Sequence, residues 1–320
     1  MTLPPAVDLG DPLTEVLRHL HMDGVFYCVT EVTAPWGADM PPMPGSLWFH
    51  VVVRGGGLLI DATGAEHRLD PGDVVVLPHG NGHTIVDRVG SPTPQVLDLH
   101  HDYESPNYAV LRHGGGGEAT TLLCGVVTFT HPAARTLAAV LPEVIRLAGT
   151  DDTSAADTVR PLVELMGAET RRPLPGGEAV VTRLCDVLVV QAIRSWLTTA
   201  DAPSGWVGAL HDPQIGGAIA AMHREPGEPW SVASLAAYVG MSRSAFAARF
   251  SDLVGESPLA YLTTWRMALA QDRLATTDVT VLELALSLGY TSEASFSRAF
   301  SREVGRPPSR CRARPTPQFG

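Results

Sequence analysis

The chain has 320 residues, of which 45% are apolar, and its 23 basic side chains, all arginines, are outnumbered by 34 acidic ones. This length favours two domains over one. No stretch approaches the ~18 uninterrupted apolar residues of a transmembrane helix, and the N-terminus lacks the pattern of a signal peptide. Four widely spaced cysteines do not predict a disulfide-stabilised scaffold. We therefore expect a cytoplasmic protein with no membrane partner.

The net charge of −11 is unevenly distributed along the chain. Residues 1–227 carry 13 Arg and 26 Asp or Glu, a net of −13, whereas residues 228–320 carry 10 Arg and 8 Asp or Glu, a net of +2. This asymmetry predicts an acidic N-terminal part joined to a weakly basic C-terminal part, and a basic part is the one suited to a polyanionic partner.

Short runs of β-forming residues dominate the chain from residue 25 to about residue 129. Examples are 25–29, 47–53 and 74–77, and glycines and prolines separate them. This spacing predicts a β-sandwich or barrel. We expect residues 87–118 to be a loop, because prolines near its start and four glycines at 114–117 interrupt it.

The segment 72–83 reads Gly-Asp-Val-Val-Val-Leu-Pro-His-Gly-Asn-Gly-His. It resembles the second sequence motif of cupins, and the resemblance implies a jelly-roll barrel. The first cupin motif is only partly present: His50 is in place, Val52 occupies the position of the second histidine, and no glutamate follows at the usual spacing. The resemblance therefore extends to the fold, and not to the usual metal site of three histidines and one glutamate.

His50 and His83 are the two candidate metal ligands that remain in place. His100, His101 or Cys124 could complete a zinc site with them, and zinc is the cofactor that such a set suggests. The alternative is that His50 and His83 are hydrogen-bonded residues lining the barrel, and the absence of the other ligands favours it.

Helical periodicity replaces the β pattern from residue 131 to residue 199. It predicts helices at 135–148, 158–170 and 179–197. The last is so apolar that it must be covered, either by its own barrel or by a second copy of the chain. Residues 200–211 have the composition of an interdomain linker, and a connecting helix is expected at 212–223.

Residues 230–312 contain one pattern written twice. The phenylalanines at 246 and 250, the glycine at 255 and the proline at 258 recur fifty positions later, at 296, 300, 305 and 308. Each copy predicts a short helix, a turn at a glycine and a second helix that Ser242 or Ser292 would cap. This is the layout of a helix-turn-helix, at about 231–252 and 280–303, with one long helix at 258–276 between the two copies.

The buried phenylalanines fix which residues of each second helix point outward. Arg298 lies opposite them and is suited to a guanine edge, whereas Arg302 lies nearer to the helix end, where a phosphate contact is expected. Any one of these residues is also consistent with a solvated helix face. The candidate DNA contacts are Arg243, Ser244, Ala247 and Ala248 in the first unit and Glu293, Ala294, Ser297, Arg298 and Arg302 in the second.

Residues 212–314 resemble the AraC-type DNA-binding domain. The resemblance is carried by 241–246, Met-Ser-Arg-Ser-Ala-Phe, and by 289–300, Gly-Tyr-Thr-Ser-Glu-Ala-Ser-Phe-Ser-Arg-Ala-Phe, together with Tyr261 and Arg266. It implies a transcriptional regulator, more often an activator, whose two recognition helices enter successive major grooves of duplex DNA about 34 Å apart. It also implies a homodimer and RNA polymerase as a partner.

The triplet Leu123-Cys124-Gly125, together with His50 and the segment 72–83, resembles the cupin-type sensors of one AraC subgroup. Some members of that subgroup respond to oxidants through cysteines, and Cys124 and Cys28 are the positions that would carry this role here. The alternative is that both are small buried apolar residues, as free cysteines usually are.

The sequence therefore predicts an α+β protein with a cupin-like sensor domain at 1–199, whose barrel spans about 25–129, a linker at 200–211 and a helical DNA-binding domain at 212–314. We expect a regulator of transcription, and not an enzyme, that senses a small molecule or an oxidant. Two alternatives stay open: a metal-dependent cupin enzyme with an accessory helical domain, and a binding module whose DNA-binding half is degenerate.

Overall fold

The computed structural model describes residues 14, 17, 22–129, 137–138, 140–149, 154–171, 175–197 and 205–311. The described residues between 22 and 197 form one compact unit, and those from 205 to 311 belong to a second. The first unit consists of strands followed by helices, and the regular elements described in the second are all helical. None of the described helices combines the length and the apolar character needed to cross a membrane.

The strands of the first unit form two sheets. The larger has the order β11-β6-β3-β10-β1-β9-β8, and the smaller has the order β2-β7-β4-β5. Apart from β1 with β9, the paired strands run antiparallel. The strands are β1 (Met22–Thr33), β2 (Gly37–Met40), β3 (Ser46–Arg54), β4 (Gly57–Ile60), β5 (Glu66–Leu69), β6 (Val74–Leu77), β7 (His83–Val86), β8 (His101–Ser105), β9 (Tyr108–Gly114), β10 (Ala119–Phe129) and β11 (Ile145–Leu147).

Side chains from both sheets meet in one apolar core. Val52 and Leu122 come from the larger sheet, and Leu59 and Ile85 come from the smaller one. Successive residues of a strand point to opposite faces, so β3 places Trp48 and Val52 in this core while its other face turns towards helices. That other face is buried as well, which explains why 47–53 is a continuous apolar run and not an alternating one.

The prediction of a loop at 87–118 is wrong for its second half, because β8 and β9 lie there. β9 pairs with β1 in parallel, and β8 pairs with β9. Ala109, Val110 and Leu111 are buried, so this stretch is a core strand between polar flanks. The glycines that follow close the turn because they have no Cβ: one added at Gly114 would lie 2.0 Å from the Thr33 carbonyl oxygen.

Two of the three predicted helices of the first unit are confirmed, as α1 (Ser154–Arg171) and α2 (Gly177–Leu197). Both contact strands of the larger sheet. The helix predicted at 135–148 is wrong at its C-terminal end, where β11 pairs with β6. Ile145 and Leu147 are buried and Arg146 between them is not, a period of two that a helix cannot produce. The Arg146 guanidinium lies 2.7 Å from the fully buried Asp73 carboxylate and holds the strand in place.

The second unit contains seven described α-helices. The two helix-turn-helix units are the pairs α5–α6 and α8–α9, and α7 joins them at the predicted bounds. Part of the predicted linker is helical, as α3, because Val207 and Ala209 are buried in this unit. The helices are α3 (Trp206–Ala209), α4 (Pro213–Arg224), α5 (Val232–Tyr238), α6 (Arg243–Val254), α7 (Pro258–Thr276), α8 (Val281–Ser287) and α9 (Glu293–Val304).

Candidate nucleic-acid interface and ligand cavity

The first candidate recognition helix, α6, is anchored by two fully buried phenylalanines, Phe246 and Phe250. Ser242 caps it as predicted, because its hydroxyl accepts a hydrogen bond from the Ala245 amide. The predicted DNA-contacting residues lie away from the anchors: Arg243, Ser244 and Ala248 are exposed and Ala247 is half-buried. Of these four residues only the arginine is charged, so the predicted contact surface of α6 is small and nearly neutral, with one cation at its start.

The second candidate recognition helix, α9, has the same construction, with Phe296 and Phe300 fully buried and Ser292 as its cap. Its outer face is more polar. Glu293, Ala294, Arg298 and Arg302 are exposed, and Ser297 is half-buried.

The two arginines of α9 differ in their internal partners. The Arg302 Nε donates to the Glu303 carboxylate at 2.9 Å. Within the described residues, no hydrogen bond or ion pair holds the Arg298 guanidinium. Arg298 is therefore free to give its full donor set to a guanine edge, which presents two acceptors in the major groove.

A cavity of about 300 Å³ opens within the barrel of the first unit. We call it the barrel cavity. Its few polar side chains include Thr30, His101 and His113, and the remaining surface is almost wholly apolar. Strands β1, β9 and β10 form one wall, and the residues around Val96 and Leu99 cover it. Characteristic lining residues are Trp36, Trp48, Ile85, Leu111, Leu122 and Val126.

Two protein-family models match this chain: residues 11–198 match one described as a cupin, and residues 235–314 match one described as a helix-turn-helix domain. The transcriptional regulator AlkR of Acinetobacter baylyi is 27% identical over 304 residues, which cover 94% of this chain and 99% of AlkR. The RCS-specific transcriptional activator RclR of Escherichia coli is 31% identical over 266 residues, which cover 83% of this chain and 84% of RclR.

An AraC-like transcription regulator of Streptomyces antibioticus is 32% identical over 311 residues, covering 96% of this chain and 100% of that protein. This chain belongs to the AraC family of transcriptional regulators. Its relatives are regulators and not enzymes, so the family resemblance stated for the sequence is confirmed. This AraC-family protein is a DNA-binding regulator with an N-terminal cupin domain.

His50 and His83 of this regulator face each other inside the barrel. Their Nε2 atoms are 2.7 Å apart, and the side chains are 0% and 3% exposed. One Nε2–H must therefore donate to the lone pair of the other Nε2, so the accepting ring is neutral. Burial lowers the pKa of His83 to about 4. Burial and the neighbouring ring hold the pKa of His50 well below its usual range.

The histidine pair does not fit a zinc site. Two nitrogens bound to the same tetrahedral zinc would be about 3.4 Å apart, since each Zn–N bond is about 2.0–2.1 Å, and the observed 2.7 Å is a hydrogen bond. His100 is exposed and contacts Asp102, and His101 contacts the Leu99 carbonyl. Across the described ranges, no three His, Cys, Asp or Glu side chains are grouped to hold a metal ion.

Cys28 and Cys124 lie directly opposite each other on β1 and β10, and both line the barrel cavity. They are free thiols, and the Thr30 hydroxyl lies 3.8 Å from one sulfur and 3.7 Å from the other. Burial raises the pKa of Cys28 to about 11 and the pKa of Cys124 to about 12. The structure thus brings the two predicted redox residues together, in surroundings that keep both thiols protonated.

Sequence reasoning did not identify the barrel cavity. Its lining residues are the apolar side chains of strands, and they cannot be distinguished from core residues by type. Two of the lining residues are tryptophans, Trp36 and Trp48.

Proposed function

We propose that this regulator binds specific duplex DNA through α6 and α9 and that an uncharged, mostly apolar small molecule in the barrel cavity changes its action on transcription. The observation that carries the proposal is the apolar cavity itself. Removing apolar ligand surface from water favours binding there, whereas a buried charge without a partner is strongly disfavoured.

An oxidant is the second candidate signal, and the register of β1 and β10 supports it. Residues directly opposite in an antiparallel pair have Cα atoms about 4.5–5.5 Å apart, within the range that a disulfide spans. A two-electron oxidant such as hypochlorous acid would join Cys28 and Cys124 in a disulfide: the two thiols lose two electrons and two protons, and the products besides the disulfide are chloride, water and one proton. The relative RclR is described as RCS-specific. Burial and the raised pKa of both thiols oppose rapid oxidation here. We therefore favour a small-molecule ligand over an oxidant as the signal.

On the DNA side, we propose that Arg298 donates to a guanine edge and that Glu293 accepts from a cytosine amino group. Arg243 and Arg302 would contact phosphates, and the small residues Ser244, Ala247, Ala248, Ala294 and Ser297 would allow close approach to the groove.

We also propose that two copies of this chain associate through the exposed face of α2. Val180 and Val187 lie seven positions apart on that helix and are 40% and 42% exposed. An apolar stripe of this kind is stabilised when a second copy covers it. Such a dimer would act in the cytoplasm as an activator that contacts RNA polymerase, as the family resemblance implies.

Thermal unfolding of the full-length protein with matched ligands tests the choice of signal. We expect 1-decanol to raise the melting temperature of the sensor unit and decanoate, of equal chain length, to do so far less. At a ligand concentration about 100 times Kd, the gain is about 2.7 kcal/mol, or about 5–10 °C. Equal or greater stabilisation by decanoate would contradict the proposed ligand class.

Two variants separate the ligand from the oxidant. Ala38→Leu adds volume at the wall of the barrel cavity and keeps both cysteines in the chain, and it should reduce the stabilisation by 1-decanol. Cys124→Ala removes a thiol and enlarges the cavity, and it should leave the ligand response in place. If Cys124→Ala instead abolishes regulation and Ala38→Leu has no effect, the oxidant is the signal.

A further inference from the structure

Arg266, in the middle of α7, contacts both helix-turn-helix units. Its Nε donates to the Pro226 carbonyl at 2.6 Å and its Nη2 donates to the Glu228 carbonyl at 2.7 Å. These carbonyls belong to the loop that leads into α5, the first helix of the first unit. The same guanidinium lies over the Tyr290 ring, 5.8 Å from its centroid, and Tyr290 belongs to the turn of the second unit.

The loop and the turn also contact each other directly, backbone to backbone. A Cβ added at Gly227 would lie 2.5 Å from the Ser287 carbonyl oxygen, and one added at Gly289 would lie 2.5 Å from the Gly227 carbonyl oxygen. Only glycines allow this approach. Arg266, the loop 226–228 and the turn 287–290 therefore form one interlocked contact, which we call the clamp.

The clamp adds a second connection between units that α7 already joins. α7 packs against both units, with Tyr261 against Phe250 of the first and Trp265 in the core of the second. The clamp adds a contact on one side, which further restricts bending and twisting between the units. Movement between the two units decides whether the protein can bind DNA subsites at more than one spacing. Moving one subsite by a single base pair shifts it by about 3.4 Å along the axis and rotates it by about 35°, given about 10–10.5 base pairs in a turn of about 34–36 Å. A rigid pair of recognition helices cannot follow both changes.

We propose that Arg266 is a positioning residue: through the clamp it fixes the spacing between the two DNA subsites that α6 and α9 recognise. It does not contact DNA in this role. Two linked binding sites gain affinity only where the geometry allows simultaneous engagement, so the clamp converts a preference for two short sequences into a preference for one distance between them. The proposal rests on DNA binding by both helix pairs.

The test uses the full-length protein and duplexes that carry both subsites, obtained by selection from a random library with the wild-type chain. Affinity is measured on the selected duplex, on duplexes with one base pair inserted or deleted between the subsites, and on duplexes with one subsite only. Arg266→Met removes both donors at similar length, and Arg266→Lys keeps the charge but loses the forked geometry. Gly227→Ala forces the loop away from the turn while the residue at position 266 is still arginine. Arg273→Met is the matched control. Arg273 lies on the same helix and its guanidinium donates to the Ser287 hydroxyl of the second unit, but among the described residues it makes no hydrogen bond to the loop 226–228 of the first unit.

We expect the wild type and Arg273→Met to lose about 100-fold in affinity when the spacing changes by one base pair. Arg266→Met and Gly227→Ala should lose about tenfold or less, Arg266→Lys should be intermediate, and binding to a single subsite should be the same in all five proteins. A merely structural role would weaken every duplex alike.

An unchanged spacing penalty in folded Arg266→Met, or a relaxed one in Arg273→Met, would overturn the proposal. If Arg266→Met does not fold, Gly227→Ala decides the question, and unfolding of both would show a general stability contact instead of a positioning one. Failure of the wild type to bind any duplex would count against DNA binding itself, and is thus a distinguishable result.

Discussion

Replacing Arg298 by alanine should remove sequence discrimination at one base pair of the DNA subsite that α9 recognises. The Arg298 guanidinium is exposed and has no partner within the described residues, so its removal leaves no internal group unpaired and the measured loss is that of the DNA contact. A bidentate pair with guanine contributes about 1–3 kcal/mol of discrimination, which corresponds to about 5–150-fold in Kd.

The assay is a competition titration against duplexes in which each base pair of that subsite is replaced in turn. Arg298→Ala should weaken binding to the preferred duplex and have little further effect where the guanine is already replaced. Arg302→Ala is the control: Arg302 already pairs with Glu303, so we expect a smaller loss that is uniform across sequences, with the salt slope reduced by about 1. A uniform loss for Arg298→Ala across the whole panel would refute its role in reading a base.

Acid should destabilise the sensor unit, because His50 and His83 are neutral when folded and titrate at about pH 6.5 when unfolded. Below pH 6.5 the unfolded chain therefore binds more protons than the folded chain, and the free energy of unfolding decreases as the pH falls towards the folded pKa of His83, about 4. The decrease is about 1.4 kcal/mol per pH unit for each histidine. Urea unfolding at stepped pH measures this slope, and a flat profile would contradict the prediction. The fraction of Cys124 in the thiolate form should be about a thousandfold lower than that of an ordinary thiol. Iodoacetamide should therefore label the half-exposed Cys311 first. Rapid labelling of Cys124 in the folded protein would count against its burial. Phe296→Ala should cost the helical unit about 3–5 kcal/mol because the ring is fully buried; a loss below about 1 kcal/mol in thermal unfolding would rule out that packing.

The helical unit was predictable from the sequence because its signals are local. The caps at Ser242 and Ser292, the phenylalanines at helical spacing and the prolines that open helices each act within one or two turns, and the repeat doubled every signal. The fold class of the first unit, a β-barrel, was predictable because the segment 72–83 has a recognisable spacing of turn residues.

The errors occurred where long-range pairing decides the structure. Residues 108–111 become a strand because β1 is available beside them, and 145–147 do so because β6 is; neither partner is visible in the local pattern. The barrel cavity and the clamp could not be predicted for the same reason, because residues far apart in the sequence form them. Gly227 and Gly289 are sixty-two positions apart in the sequence, and only the folded chain places their backbones in contact.

Footprinting of the full-length protein on duplexes selected from a random library tests the central claim most directly. We predict two protected segments on one face of the duplex, centred about one helical turn apart, with an affinity that falls steeply as salt is raised. Absence of any enriched sequence, or protection of one segment alone, would contradict the account of a regulator that reads DNA with both helix-turn-helix units.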